Sequence, residues 1–255
     1  MRVKKVMSDD LESSYCCMNE VPPGVSWISA LPESKKWFKD NLGTHIEGYH
    51  LLDGDKVVGH TYWETSEKAL IPYKIESKVA YIYCTEMLRD YLHKGHGRMM
   101  FDYMKDDLKK QGYKGILVDA TSFKEFMFHE LFAKQGFRVI MEHEPFRLMY
   151  FPLLKQTVEA EPMKTSYKPS EDKVEVTLFN NFFCPVGAYM YELVKRVAQD
   201  FGDKVKIVEI KITPETIKKY GTSELLINGK IKLFGPASEK DVQKAIQEEI
   251  DQFKS

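Results

Sequence analysis

The run Met87-Leu-Arg-Asp-Tyr-Leu-His-Lys-Gly-His-Gly-Arg98 carries two glycines, Gly95 and Gly97, and lies between stretches of different period. Val79–Cys84 before it is apolar and aromatic, as a strand requires. After it Met100, Met104 and Leu108 recur every fourth residue while Asp102, Lys105, Asp106 and Lys109 fill the opposite side, the period of a helix ending by Gly112. Strand, glycine loop and helix start together form an anion site. Successive backbone N–H groups and the positive end of the helix dipole converge there, and glycine lets a phosphate come close. This is not a nucleotide P-loop, since Gly-x-x-x-x-Gly-Lys-[Ser/Thr] is absent. Nor is it Gly-x-Gly-x-x-Gly, since Met100 stands at the third glycine.

A chain of 255 residues holds one large or two modest domains, each with its own core. Thirty-seven basic residues face 38 acidic ones; the first 155 residues carry 22 of each, leaving 15 and 16 for the rest. Neither part offers the basic surface that nucleic acid or an anionic membrane selects, so neither is expected as a partner. Met1–Asp10 has no apolar core of a signal peptide, and no run approaches the roughly 18 apolar residues of a membrane span. Cys16, Cys17, Cys84 and Cys184 form no spaced framework, so a reduced, cytoplasmic setting is expected. Zinc spacing is absent and all seven histidines precede residue 144, so no metal is expected. The oligomeric state is not legible.

Outward from the loop the pattern predicts a mixed α/β fold of the α+β type, a mixed sheet flanked by helices. Ser8–Cys17 and Leu31–Leu42 read as helical, flanking a loop with Pro22, Pro23 and Gly24. Tyr49–Leu52 and Lys56–Glu64 read as a hairpin across Asp53-Gly54-Asp55. Val79–Leu88 and Lys114–Thr121 are strands, and Phe126–Gln135 is a helix stopped by Gly136. Phe137–Glu142 and Phe146–Leu153 make a last hairpin, and residues 154–173 read as a linker.

The loop Leu92–Gly97 resembles the pyrophosphate loop of the GNAT acyltransferases, (Gln/Arg)-x-x-Gly-x-(Gly/Ala), with Leu92 at the first position. Leu131-Phe132-Ala133-Lys134-Gln135-Gly136-Phe137 resembles their Leu-Tyr-Glu-Lys-x-Gly-Phe, and Lys56-Val57-Val58-Gly59 resembles their strand after the first hairpin. The resemblance covers residues 1–153. It implies an acyl-CoA-binding domain that uses acetyl-CoA as cosubstrate and transfers its acyl group to a small-molecule or peptide amine by direct attack on the thioester.

The resemblance places the pyrophosphate on backbone N–H groups from His93 through Lys94, Gly95, His96 and Gly97 to Arg98. It also places the pantetheine arm along Glu86, Met87 and Leu88. An attacking amine must lose a proton, so Glu86 is the first candidate base and Glu64 the second. The family's acid is the motif tyrosine, but Phe132 stands there, leaving Tyr150 or Tyr83 as a substitute, or an unassisted thiolate with a pKa near about 8.5. Trp27, Trp63 and Tyr81 could line an acceptor pocket.

Residues 174–255 start a second pattern. Val174–Phe179, Pro185–Asp200, Val205–Ile212, Glu215–Tyr220, a hairpin of Leu225–Ile227 with Lys230–Phe234 across Asn228-Gly229, and Ser238–Phe253 follow the thioredoxin-like order. Ser238 reads as the last helix's N-cap, ahead of Asp241. Cys184-Pro185-Val186-Gly187 falls at the usual Cys-x-x-Cys, with Gly187 at the resolving cysteine. A GNAT domain with this tail resembles YoaP-like acetyltransferases. The helix dipole would lower the pKa of the Cys184 thiol. Two rival readings stay open: a non-catalytic acyl-CoA-binding or sensor protein, and a one-cysteine thiol-redox protein centred on Cys184.

Overall fold

The computed structural model describes all residues except 23, 125, 254 and 255. Pro23, expected in the loop with Pro22 and Gly24, lies outside the described residues. The chain divides into two compact units. One comprises Met1–Val21, Lys39–Ala69 and Lys74–Glu161; the other comprises Pro22–Phe38, Leu70–Tyr73 and Pro162–Ser255.

Strand β1 (Arg2–Lys5) opens the first unit, and helix α1 (Leu31–Asn41) leads back to it. There follow β2 (Glu47–Asp53), β3 (Lys56–Thr65), the short β4 (Tyr73–Ile75), β5 (Val79–Met87), α2 (His96–Lys110), β6 (Gly115–Thr121), α3 (His129–Lys134), β7 (Arg138–His143), β8 (Phe146–Pro152) and the short β9 (Ala160–Pro162). Seven strands form one mixed sheet in the order β1-β2-β3-β5-β6-β8-β7, and β4 pairs with β9. Only β5 and β6 among the seven run parallel, joined by the crossover helix α2.

The expected Asp-Gly hairpin forms, with Gly54 at φ +59° where a side chain would be strained. Helix α2 lays Met100, Phe101, Met104 and Leu108 on the sheet. Phe101, Met104 and Leu108 join Tyr49, Trp63, Ile82, Ile116, Val118 and Phe132 in the main core, and Met100 packs with Leu51, Val58 and Met87. Each such side chain removed from water contributes about 1.5–3 kcal/mol before entropy is counted, so the apolar stripe fixes α2, and with it the glycine loop, against β5.

Two helices differ from expectation. Ser8–Cys17 is not one helix but a pair of 3-10 turns, Ser8–Ser13 and Cys16–Glu20. The break falls at Tyr15, which takes φ +63° and donates its N–H to the Tyr62 hydroxyl at 2.9 Å. The helix expected over Phe126–Gln135 starts only at His129. Met127 sits at φ +47° with its carbonyl accepting the Thr121 N–H at 2.8 Å, and that conformation cannot continue a helix. Gly136 ends α3 at φ +92°, as its position before Phe137 suggested.

In the second unit β10 (Val174–Phe179), α4 (Pro185–Gln199), β11 (Val205–Ile210), α5 (Pro214–Tyr220), β12 (Leu226–Ile227) and α6 (Glu239–Phe253) follow one another. The sheet order is β11-β10-β12, with β10 parallel to β11 and antiparallel to β12. Ser238 and Asp241 bond each other's backbone N–H as a capping pair for α6. The turn at Asn228-Gly229 forms, both residues at positive φ, but the expected strand Lys230–Phe234 does not. Instead Lys230 and Lys232 reach Glu249 on α6, at 2.9 and 2.7 Å, and only the Ile227–Lys230 bridge remains of the hairpin. Glu249 is fully buried, so satisfying its charge outweighs two or three more ladder bonds.

Candidate active site

Parallel pairing of β5 with β6 runs from Val79–Gly115 to Ile82–Val118. Beyond that point β5 continues to Met87 on the β3 side, and β6 continues to Thr121 on the β8 side. The two strands therefore part. A bulge between Tyr62 and Trp63 in the β3–β5 ladder places the extra residue, Tyr83, at the start of the opening. Met127 fills part of it: its sulfur accepts the Thr85 N–H at 3.3 Å on one side, and its carbonyl holds Thr121 on the other. Further along, the Met87 N–H is taken by the neighbouring Glu86 carboxylate at 3.1 Å. Free-edge donors of β5 are thus covered by a thioether, a weak acceptor, and by an adjacent side chain.

At the wide end of this opening the chain turns through Arg89–Tyr91 and enters α2. His93 takes φ +59° and Gly95 takes φ +82° as N-cap. The first helical N–H with an intrahelical acceptor is that of Met99, bonded to the Gly95 carbonyl at 3.1 Å. The N–H groups of His96, Gly97 and Arg98 precede it, as the opening turn of a helix dictates. A Cβ at Gly97 would meet nothing within 4 Å, so the approach to these donors is open. No acidic residue lies in the first turn, and Lys94 and Arg98 are exposed beside it. The arrangement suits a polyanion. Leu92, at the position of the family's Gln or Arg, is 42% exposed and adds apolar surface to the same rim.

The carboxylates expected as bases are both perturbed. Burial raises Glu86, with Glu20 adding to the effect. Its position on β5 is next to the loop, not at the closed end of the opening, where pairing stops at Ile82. Pantetheine was expected along Glu86–Leu88; the unpaired stretch instead begins at Tyr83. Glu64 is fully buried and burial pushes it up to about 7; Oε1 accepts the Thr65 N–H at 2.7 Å, while Oε2 has no hydrogen-bond partner among the described residues.

Tyr150 is a correction. Its hydroxyl shares its one proton between the carbonyls of Lys155 at 2.7 Å and Lys114 at 3.1 Å, its ring is fully buried, and burial pushes it up to about 12. It closes the beginning of β6 near Gly115, the end of the strand away from the opening, so it is withdrawn as acid. Phe132 is also in the core, packed edge-on against Phe101 and Phe137. Trp63 is core too, stacked on Tyr49 at 6.0 Å. Trp27 belongs to the second unit. Tyr81 is buried with its hydroxyl 3.5 Å from Asp119 Oδ2.

Beside Glu86 lies a buried polar layer that sequence reading missed. The His60 ring has Cys16 Sγ 3.2 Å from Nδ1 and Cys84 Sγ 3.7 Å from Nε2. Burial holds His60 down to about 3 and pushes Cys16 up to about 12, so imidazole and thiol are both neutral and the cluster ties the Cys16–Glu20 turn to β3 and β5. No spacing in the sequence announces it, because Cys16, His60 and Cys84 meet only through the sheet. Asp119 and His143, 3.1 Å apart at the narrow end of the opening, were missed for the same reason. Among the described residues no group of three or more His, Cys, Asp or Glu could hold a metal ion, and no helix is long and apolar enough to cross a membrane.

In the second unit Cys184 is the N-cap of α4. Backbone N–H groups of Val186 and Gly187 favour its thiolate, but burial outweighs them and the thiol is raised. The expected lowering is not found.

Among curated proteins no sequence matches. Among solved structures, PaiA N-acetyltransferase from Thermoplasma acidophilum in complex with coenzyme A is 15% identical, with 60% of this chain and 99% of that chain covered and a TM-score of 0.42. The GNAT domain of S. lividans PAT is 12% identical over 60% and 90%, with a TM-score of 0.47. The GNAT family N-acetyltransferase YhbS from Escherichia coli in complex with CoA is 12% identical over 60% and 81%, with a TM-score of 0.44. The family model described as Acetyltransferase (GNAT) family matches residues 10–137, half of the chain, and the chain belongs to that family.

Proposed function

We propose that the protein is an acetyl-CoA-dependent N-acyltransferase that acts on a primary amine by direct attack on the thioester. The observation that carries this reading is the opening between β5 and β6, which leads from its apex at Ile82 and Val118 to the N–H groups of the first turn of α2. One extended ligand with a polyanionic end and an amide-bearing arm fits both features. His96, Gly97 and Arg98 N–H groups hold the pyrophosphate, with Lys94 and the Arg98 side chain adding positive charge. Arm carbonyls replace the Met127 sulfur on Thr85 and the Glu86 carboxylate on Met87, exchanging weaker or local acceptors for amide oxygens.

Membership of the family supports the use of acetyl-CoA. The strand and helix order of the second unit, with β10 between β11 and β12, supports a thioredoxin-like module of the YoaP type. The raised Cys184 thiol weighs against a redox role for it. A cytoplasmic protein without nucleic-acid or membrane partners remains the proposed setting.

Isothermal calorimetry with acetyl-CoA tests the binding half, and CoA release with a panel of small primary amines and lysine peptides tests the transfer. Absence of binding at millimolar acetyl-CoA sinks the proposal. Binding without release across the panel favours the second reading, an acyl-CoA-binding protein, for which Phe132 at the family's acid position is the specific observation.

A further inference from the structure

The β5–β6 pairing ends at Ile82 and Val118, and the next residue along β6 is Asp119. His143 Nε2 lies 3.1 Å from its Oδ1, and the Tyr81 hydroxyl lies 3.5 Å from Oδ2. Three strands thus place Tyr81, Asp119 and His143 in one row at the apex of the opening. The row is braced at both ends: the Tyr81 ring meets Tyr83 edge-on at 5.7 Å, and the His143 ring leans on Phe146 at 5.7 Å. Unlike Glu64 or His60 it is accessible, with side-chain exposures of 20% for Asp119 and 38% for His143.

An arm that enters at the glycine loop and runs along β5 ends at this apex. Five residues separate Ile82 from Met87, roughly 16 Å of strand. The reacting carbon of such a ligand therefore sits by Asp119 and His143, and Glu86 sits by the polyanion end. Glu86 also commits Oε1 to the Met87 N–H.

Resting on the transfer reading above, we infer that His143 is the general base of the reaction, held by Asp119 as positioning residue, and that the acceptor is an amine that arrives as ammonium. The imidazole takes one proton from R–NH3+. The freed nitrogen pair forms the C–N bond to the acyl carbon, and the C–S bond breaks with its electrons on the CoA sulfur. The second proton leaving nitrogen goes to the thiolate, and the imidazolium returns its proton to solvent. Asp119 suits this role because a carboxylate on one ring nitrogen fixes the ring and stabilises the imidazolium. It also holds His143 above its ordinary 6.5. Tyr81 from β5 shares the Asp119 carboxylate with the ring, and on the β7–β8 hairpin that carries His143 the charged neighbours in sequence are Glu142, Glu144 and Arg147, the last bound to both glutamates at 3.7 and 3.2 Å.

The test is steady-state CoA release from acetyl-CoA across about pH 5.5 to 9, with the amine panel and with water alone as acceptor, for the parent, His143→Gln and Asp119→Asn. Both variants should bind acetyl-CoA with parental affinity by calorimetry, which also reports that they fold. His143→Gln should lose about 100-fold or more in kcat and should lose the acidic limb of the kcat/KM profile. Asp119→Asn should keep that limb but move it to lower pH, a change that a merely structural residue would not cause. Parental kcat and an intact acidic limb in His143→Gln overturn the inference while leaving the transfer reading standing. A parent that binds acetyl-CoA but releases no CoA with any acceptor overturns it in favour of a binding protein. A parent that binds no acetyl-CoA removes both readings.

Discussion

Glu64 offers a measurement in which structure dictates sign and size. Its folded carboxyl is raised from 4.5 to about 7 by burial, with one oxygen on Thr65 and the other without a partner among the described residues. A raised acid takes up its proton on folding, so its contribution is fully present below the unfolded pKa and is lost as pH climbs through the folded one. At about 1.4 kcal/mol per pKa unit, the rise makes the fold roughly 3 kcal/mol less stable at pH 8 than at pH 4.5 through this group alone. Glu64→Gln is the isostere of the protonated form and keeps an oxygen for the Thr65 N–H. The variant should therefore match the parent at pH 4.5 and exceed it by about 2–3 kcal/mol at pH 8, a urea midpoint shift of about 1 to 2 M. Because two units can unfold separately, the reporter should be Trp63, in the core of the first unit beside Glu64, with Trp27 and Trp37 replaced by Phe. A Gln variant no more stable than the parent at pH 8, or a difference between the two that is the same at both pH values, refutes the reasoning.

Gly97→Leu should leave the urea midpoint unchanged, since its Cβ enters open space, but should weaken acetyl-CoA binding at least about 10-fold in calorimetry by standing in front of the α2 donors. Tyr150→Phe should cost about 1–2 kcal/mol in denaturant unfolding, for the loss of one shared hydroxyl donor, chiefly to the Lys155 carbonyl since that of Lys114 keeps its backbone donors, and should leave kcat for CoA release at the parental value. Iodoacetamide should alkylate Cys184 more slowly at pH 7.5 than it does an exposed model thiol, as the raised thiol requires, with the rate still climbing at about pH 9.

Local signals in the sequence read well wherever period or turn chemistry is self-contained. The Asp-Gly hairpin, α2 and the strand Val174–Phe179 fall where their residues place them. Failures come where a distant partner outweighs local preference. Tyr15 breaks the first helix for a hydroxyl 47 residues away, Met127 unwinds the start of α3 to bridge β5 and β6, and Lys230 and Lys232 leave a hairpin for the buried Glu249. The anion loop was legible because glycine spacing and helix phase are contiguous. The Asp119–His143 pair was not, since β6 and β7 are not sheet neighbours: β8 lies between them, and 24 residues separate the two side chains in sequence.

Binding and chemistry separate along β5, and that separation bears on the missing acid. With Tyr150 tied to two carbonyls and Phe132 sealed in the core, Tyr83 at the start of the opening is the remaining hydroxyl of those expected from the sequence. A thiol of pKa about 8.5 leaves tolerably as its anion near neutral pH, whereas an ammonium of pKa about 10.4 cannot attack at all. On the proposed mechanism the barrier therefore lies on the amine's side, where a positioned base matters more than an acid. A site that places an oriented imidazole at the apex of the opening, and leaves the family's acid position to a phenylalanine, is consistent with that imbalance. On that proposal Glu86, the carboxylate nearest the loop, caps a backbone donor instead of serving as the base.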